Sequence, residues 1–246
     1  MGVTIGNKTL VTGYLIVELK DRHGKVLRRD VRDFDPFVRN LIVLLENVLK
    51  GEDTFVSENI MPITLSNATD VEGNSFTPMP YSSYNPEGAR QYWNIVADAG
   101  DVLIQRGEPT DWGILVGYGE SPTTINFWSL ENPYPHGRGQ GYMNYLSTEL
   151  TPPEFDGNYV KFTVKRRIIN DATVTQRVTE VGVVAREFHT WRKLLIARDL
   201  LDTPIDMPPA SLLEVTIVIQ ALPAPFNIIT TLDYGVPEEV SSRHTV

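Results

Sequence analysis

The chain has 246 residues, 41% of them hydrophobic and 22% charged, with a formal net charge of −9 and no cysteine. These are the values of a globular chain long enough to bury its own core. They exclude disulfides, thiolate metal sites and cysteine nucleophiles, and the acidic balance argues against a nucleic-acid partner because it repels phosphate.

Met1 to Leu10 lacks a basic segment followed by an apolar run, and no apolar cluster approaches the ~20 residues of a membrane span. The expectation is a protein made and folded in the cytoplasm, with no membrane partner. Leu10 to Leu19 is rich in Val, Leu, Ile, Thr and Tyr; Asp21-Arg22-His23-Gly24-Lys25 supplies a turn, and Val26 to Val31 resumes an extended pattern. This predicts an N-terminal β-hairpin. An amphipathic helix is predicted near residues 36–50. Asp35 is its N-cap, Pro36 its first residue and Gly51 its stop. Val38, Leu41, Ile42, Leu45, Val48 and Leu49 form one apolar stripe, with Arg39, Asn40, Glu46, Asn47 and Lys50 on the wet side.

Ile60 to Leu65 reads as a short strand. From Asn67 to Gly107 the chain is rich in Pro, Gly, Ser, Asn and Tyr, and a loop this long in a domain usually has a role. Trp112 to Tyr118 reads as a buried strand, and Glu120 to Gly157 as a second long irregular stretch. In Tyr159 to Ile169, Val160, Phe162, Val164 and Ile168 alternate with Lys161, Thr163, Lys165 and Arg167, the period of a strand with one dry and one wet face. A basic patch around Lys161, Lys165, Arg166 and Arg167 is read as that solvated face. Arg177 to Ala185, Leu194 to Ala197 and Leu212 to Gln220 complete the strands. The predicted fold is mainly β: an antiparallel, jelly-roll-like β-sandwich over residues 1–220, one helix, long ordered loops, and an extended C-terminal arm over 221–246.

Motifs with catalytic spacing do not emerge. Gly117-Tyr118-Gly119 lacks the third glycine and helix of a phosphate loop and reads as a turn needing glycine's backbone freedom. His23, His136, His189 and His244 show no local zinc pairing; a distant assembly of His136 and His189 with carboxylates stays open. Asp70 to Asn74 lacks the alternating ligands of a calcium loop. Glu149 and Glu154 are available as a carboxylate pair, as in any acid-rich chain. No cofactor is expected and the chain is read as a non-enzyme. Tyr81, Tyr84, Trp93, Trp128, Tyr142, Tyr145, Phe226 and Ile228 are the candidate interface residues, because aromatic side chains in long loops and a Pro-bounded arm suit subunit contacts. For all four tryptophans, Trp93, Trp112, Trp128 and Trp191, core packing is the default reading, with stacking on a sugar ring or capping a subunit contact as the alternative.

Several segments in order resemble a pattern of tailed-bacteriophage structural proteins: the hairpin, Phe37-Val38-Arg39-Asn40-Leu41, the strand Gly113 to Gly119, His136 to Gly141 followed by Tyr142 and Tyr145, Phe162 to Asn170, Thr179 to Gly182, and Leu195 to Asp199 leading into the last strand. Asp202 to Ala210 departs from it, being proline-rich where a glycine turn is expected. The resemblance implies a building block of the virion and brings no catalytic residues. Its implied partners are major capsid or tail proteins and further copies of itself. Three readings stay open: a particle protein, either a capsid decoration subunit or a tail, baseplate or fibre component; a glycan-binding receptor-recognition module using Trp93 or Trp128; and a carboxylate hydrolase.

Overall fold

The computed structural model describes residues 3–5, 8–34, 38–43, 67–78, 93–94, 109–155, 157, 159–187 and 192–221. Among the described residues there are thirteen strands in chain order: β1 Val3–Ile5, β2 Lys8–Lys20, β3 Val26–Asp33, β4 Ala68–Thr69, β5 Ser75–Phe76, β6 Trp93–Asn94, β7 Gly113–Gly117, β8 Asn144–Leu150, β9 Glu154–Phe155, β10 Val160–Ile169, β11 Gln176–Glu187, β12 Lys193–Met207 and β13 Leu212–Ala221. The first sheet runs β1-β2-β13-β10-β8, with β3 also on β2 and β9 also on β10. The second runs β12-β11-β6, with β7 also on β11. All pairings are antiparallel, and one apolar cluster joins both sheets. This is an antiparallel β-sandwich; the pairing does not establish the double Greek key of a jelly roll.

The hairpin forms as its residues dictate. Asp21 Oδ1 accepts the backbone N–H groups of His23 (2.8 Å) and Lys25 (2.9 Å), and Gly24 adopts φ 82°. In the first sheet alternation sets the faces: Leu15, Val17, Leu19, Val164, Ile168, Leu213, Val215 and Ile217 point inward and are buried. Burying a side chain of this size stabilises by about 1.5–3 kcal/mol.

The sheets are tied at both margins. At one, Arg32 of β3 reaches Asp199 (2.7 Å) and Asp202 (3.1 Å), and Arg28 donates to the carbonyls of Pro204 (2.8 Å) and Thr203 (3.1 Å). At the other, Tyr145 of β8 bonds to β7 through its hydroxyl. It donates to a carbonyl of Val116 (3.1 Å) or Tyr134 (3.0 Å) and accepts Val116 N–H (3.3 Å).

Several expectations need correction. The helix is described at residues 39–43, and 35–37 and 44–66, including Ile60 to Leu65, lie outside the described residues. Val38 and Leu41 pack on the core as the predicted stripe requires, but the stripe fails at two positions: Asn40 is buried and Ile42 exposed. Asn40 Nδ2 donates to Thr69 O (2.8 Å) and its Oδ1 accepts Thr69 N–H (3.1 Å), so the carboxamide takes the place of a neighbouring strand for β4. The stretch from 120 to 157, expected to be irregular, contains β8 and β9. β8 shows no clean alternation of burial, which hid it. Of the proline-rich segment 202–210, residues 202–207 belong to β12. The register jumps from Val178↔Ile205 to Glu180↔Leu200, so Pro204 sits in a bulge and owes no ladder hydrogen bond. The turn that follows uses Ala210 at φ 59°, a conformation that favours glycine. The last 25 residues, 222–246, lie outside the described residues.

Candidate functional site

The second sheet is covered on both sides. Every residue of β7 is buried, and so are Val178 to Arg186 of β11. Its outer cover is built from the 39–43 helix, the β4–β5 hairpin and the loop 118–134. Backbone hydrogen bonds fasten these pieces together: Val38 N–H to Ile196 O (3.2 Å), Arg39 N–H to Ile125 O (2.8 Å) and Val71 N–H to Lys193 O (3.0 Å).

A buried ion pair anchors that layer. Glu180 on β11 and Arg198 on β12 both have fully buried side chains and meet at 2.8 Å. Glu180 Oε1 accepts the N–H groups of Gly119 (3.1 Å) and Asn132 (2.9 Å), and Oε2 accepts that of Glu131 (3.1 Å). Arg198 donates to Ser121 O (3.0 Å) and lies 4.0 Å above the Phe127 ring. Glu131 accepts from Glu120 N–H (2.8 Å) and from Ser121 N–H (2.8 Å) and hydroxyl (2.7 Å). These bonds, Ser121 first, hold its carboxyl below the usual carboxylate range. Two charges on adjacent strands thus fix both ends of one loop.

Glycines make the approach possible. A Cβ on Gly119 would stand 2.7 Å from Glu180 Oε1, and one on Gly182 would stand 2.7 Å from Leu130 Cδ2. Gly117 and Gly119 are therefore needed for space, correcting the expectation of backbone freedom. Gly139 (φ 98°) and Gly141 (φ 82°) do need that freedom. Their loop is held by Gln176, which accepts Gly141 N–H (2.8 Å) and donates to Tyr142 O (2.7 Å).

A second buried cation joins the sheets. Arg166, expected on the basic wet face, points inward and is buried. It donates to the carbonyls of Leu146 (2.9 Å), Trp112 (2.9 Å), Ile114 (3.1 Å) and Pro109 (2.6 Å) and lies 4.9 Å from the Tyr145 ring centre. Burial pulls its pKa down to about 10, with the Tyr145 interaction opposing that shift. Burial likewise pushes the Tyr145 hydroxyl up.

The candidate residues separate clearly. Trp128 and Tyr142 stand on the fixed loops, each more than two-fifths exposed, along with Tyr118 and Ile125. Trp128 rests its indole edge against Gly73, where a Cβ would stand 3.7 Å from Nε1. Tyr145 is buried, so it braces the fold and offers no surface; the correction follows from its hydroxyl bonding across the sheets. Trp93 lies on β6, and its side chain, with Tyr81, Tyr84, Phe226 and Ile228, falls outside the described residues. Sequence reasoning missed Glu180, Arg198 and Arg166 as organisers. Their signal in the local pattern is charge inside otherwise apolar strands.

The remaining motifs have local partners. Asp70 Oδ1 accepts Glu72 N–H (3.0 Å) and Asn74 N–H (2.8 Å), closing its own turn. His136 Nδ1 accepts Tyr145 N–H (3.2 Å), and His189 lies outside the described residues. Glu149 pairs with Arg167 (2.7 Å) and Glu154 with Lys161 (4.0 Å). Among the described residues no group of three His, Asp or Glu side chains is placed to hold a metal ion. None of their helices is long and apolar enough to cross a membrane. No family model, curated protein or solved structure matches the chain.

Proposed function

We propose that this chain is a structural subunit of a tailed-phage virion, a capsid decoration protein in the first instance, with a tail or baseplate position as the alternative. One observation supports a binding role above others: buried charges fasten a loop layer to the second sheet, and that layer presents Tyr118, Ile125, Trp128 and Tyr142 to solvent. Aromatic side chains on a preorganised surface bind with little further loss of conformational entropy. The ordered motif series supplies the phage assignment. Protein mass spectrometry on purified particles of the virus encoding the chain tests it. The expected result is many copies per particle, bound to heads and released before the shell breaks. Absence from both heads and tails rejects it.

A glycan-binding reading draws on Trp128 alone, whose indole lies partly exposed against Gly73. A glycan array decides it: binding that Trp128→Ala abolishes without loss of folding favours recognition of sugars, and no binding across the array removes that reading.

A further inference from the structure

The first sheet ends on β3 at one margin, and β3 differs from an ordinary protected edge. It pairs with β2 on one side only, and among the described residues no strand pairs with its other side. Every second residue of such a strand directs its N–H and C=O away from the sheet. Leu27 and Val31 on its outer face are each more than half exposed. Edges are normally blunted with repelling charge. Here both signs are interspersed instead: Arg28, Arg29, Asp30, Val31, Arg32 and Asp33.

We propose that β3 pairs antiparallel with β3 of a second copy, about a twofold axis through Val31. The register Tyr14↔Asp33, Ile16↔Val31 and Glu18↔Arg29 places Arg29, Val31 and Asp33 on one face. Around Val31, Arg29 meets Asp33 of the second copy twice, Asp30 meets Arg32 twice, and the two Val31 side chains meet each other. An axis through Asp30 opposes Asp30 to itself and Arg28 to Arg32; one through Arg29 opposes Arg29 to itself. Like charges directly opposite destabilise a pair, so the sequence of β3 selects the Val31 register.

A groove of about 350 Å³ opens beneath this edge, between β3 and β12, lined by Leu15, Val17, Arg28, Asp30, Arg32 and Leu201 among others. Arg28 and Arg32 span it to β12, so the inner face of β3 is already held against the second sheet before a strand is added. The contact joins the two first sheets into one continuous sheet, as strand addition does in peptide recognition. The inference deepens the proposed subunit role by naming one contact between copies.

The test is light scattering on the purified full chain over a concentration series. The wild type dimerises, reaching twice 27.7 kDa. Arg29→Asp and Asp33→Arg each place two like-charge pairs at the axis and raise the dissociation constant about tenfold or more. Both positions are exposed, so circular dichroism stays native. An equimolar mixture of the two variants restores the dimer. In the mixed pair one chain carries aspartate at both positions and the other arginine at both, so every facing pair is again of opposite charge. A wild type that stays at 27.7 kDa overturns the proposal, as does a dimer that both variants keep. Variants that dissociate and fail to recombine on mixing overturn it too. None of these outcomes bears on whether the chain is found in particles, so the subunit role stands or falls separately.

Discussion

The outer face of the first sheet and the interior of the second use the same charged residues to different ends. On the outer face Lys20 bridges Glu18 (3.0 Å) and Glu214 (3.1 Å), Lys165 reaches Glu214 (3.1 Å), and Arg167 meets Glu149 (2.7 Å). Water competes for all of these, and such pairs contribute about 0–1 kcal/mol each. Inside, the side chains of Glu180 and Arg198 are fully buried and organise three loop amides and a loop carbonyl. Position, not residue type, decides whether a charge solubilises a face or holds a layer in place.

The largest break in this contrast is Arg198→Met. It removes the buried cation that pairs with Glu180, and a cost of about 3–5 kcal/mol is expected. Urea unfolding measures it, and Lys165→Met on the outer face is the control, expected to cost below about 1 kcal/mol. A smaller loss, about 1–3 kcal/mol, is expected for Arg166→Met, which strips the donor from four carbonyls, those of Trp112 and Ile114 in buried contacts. There the two sheets loosen while the loop layer keeps its anchor.

Acidification sharpens the comparison by a smaller amount. Burial alone would raise Glu214, but Lys165 and Lys20 overcome it and hold the group below its usual 4.5. Its folded form therefore adds stability that is complete above about pH 4.5 and is lost as pH falls below that value. Asp199 has the opposite sign. Burial raises it above its usual 3.8 despite Arg32, so the folded chain takes the proton first. Its contribution then falls as pH rises from 3.8 through the raised value. Between about pH 6 and about pH 3, Glu214→Gln is expected to flatten the acid decline in thermal midpoint, and Asp199→Asn to steepen it.

Sequence legibility follows the same division. The hairpin, β10 and β13 were readable because one face is wet, and alternation records that directly. Arg166 broke the alternation. It reads as part of a basic row, and nothing local reveals that the carbonyls of Pro109, Trp112, Ile114 and Leu146 await it. In the second sheet β7, β11 and the start of β12 were readable as apolar runs, without a period-two signal because they are dry on both sides; the continuation of β12 to Met207 and the cover were not. The loop 118–134 looks irregular because its order comes from Glu180 and Arg198, far away in the chain. Both residues fall within the motif series, in Thr179 to Gly182 and Leu195 to Asp199, which marked them without showing their role. Asn40 was placed on the wrong side of its helix because its partner, Thr69, lies beyond a helical pattern's reach.

Hydrogen exchange at the amides of Gly119, Glu131 and Asn132 tests most directly whether the buried pair holds the loop layer rigid. These three amides donate to Glu180. The account expects protection comparable to that of the β11 amides in the wild type, and its loss at these positions in Arg198→Met while β10 and β13 stay protected. Exchange at the rate of an open loop in the wild type would contradict it.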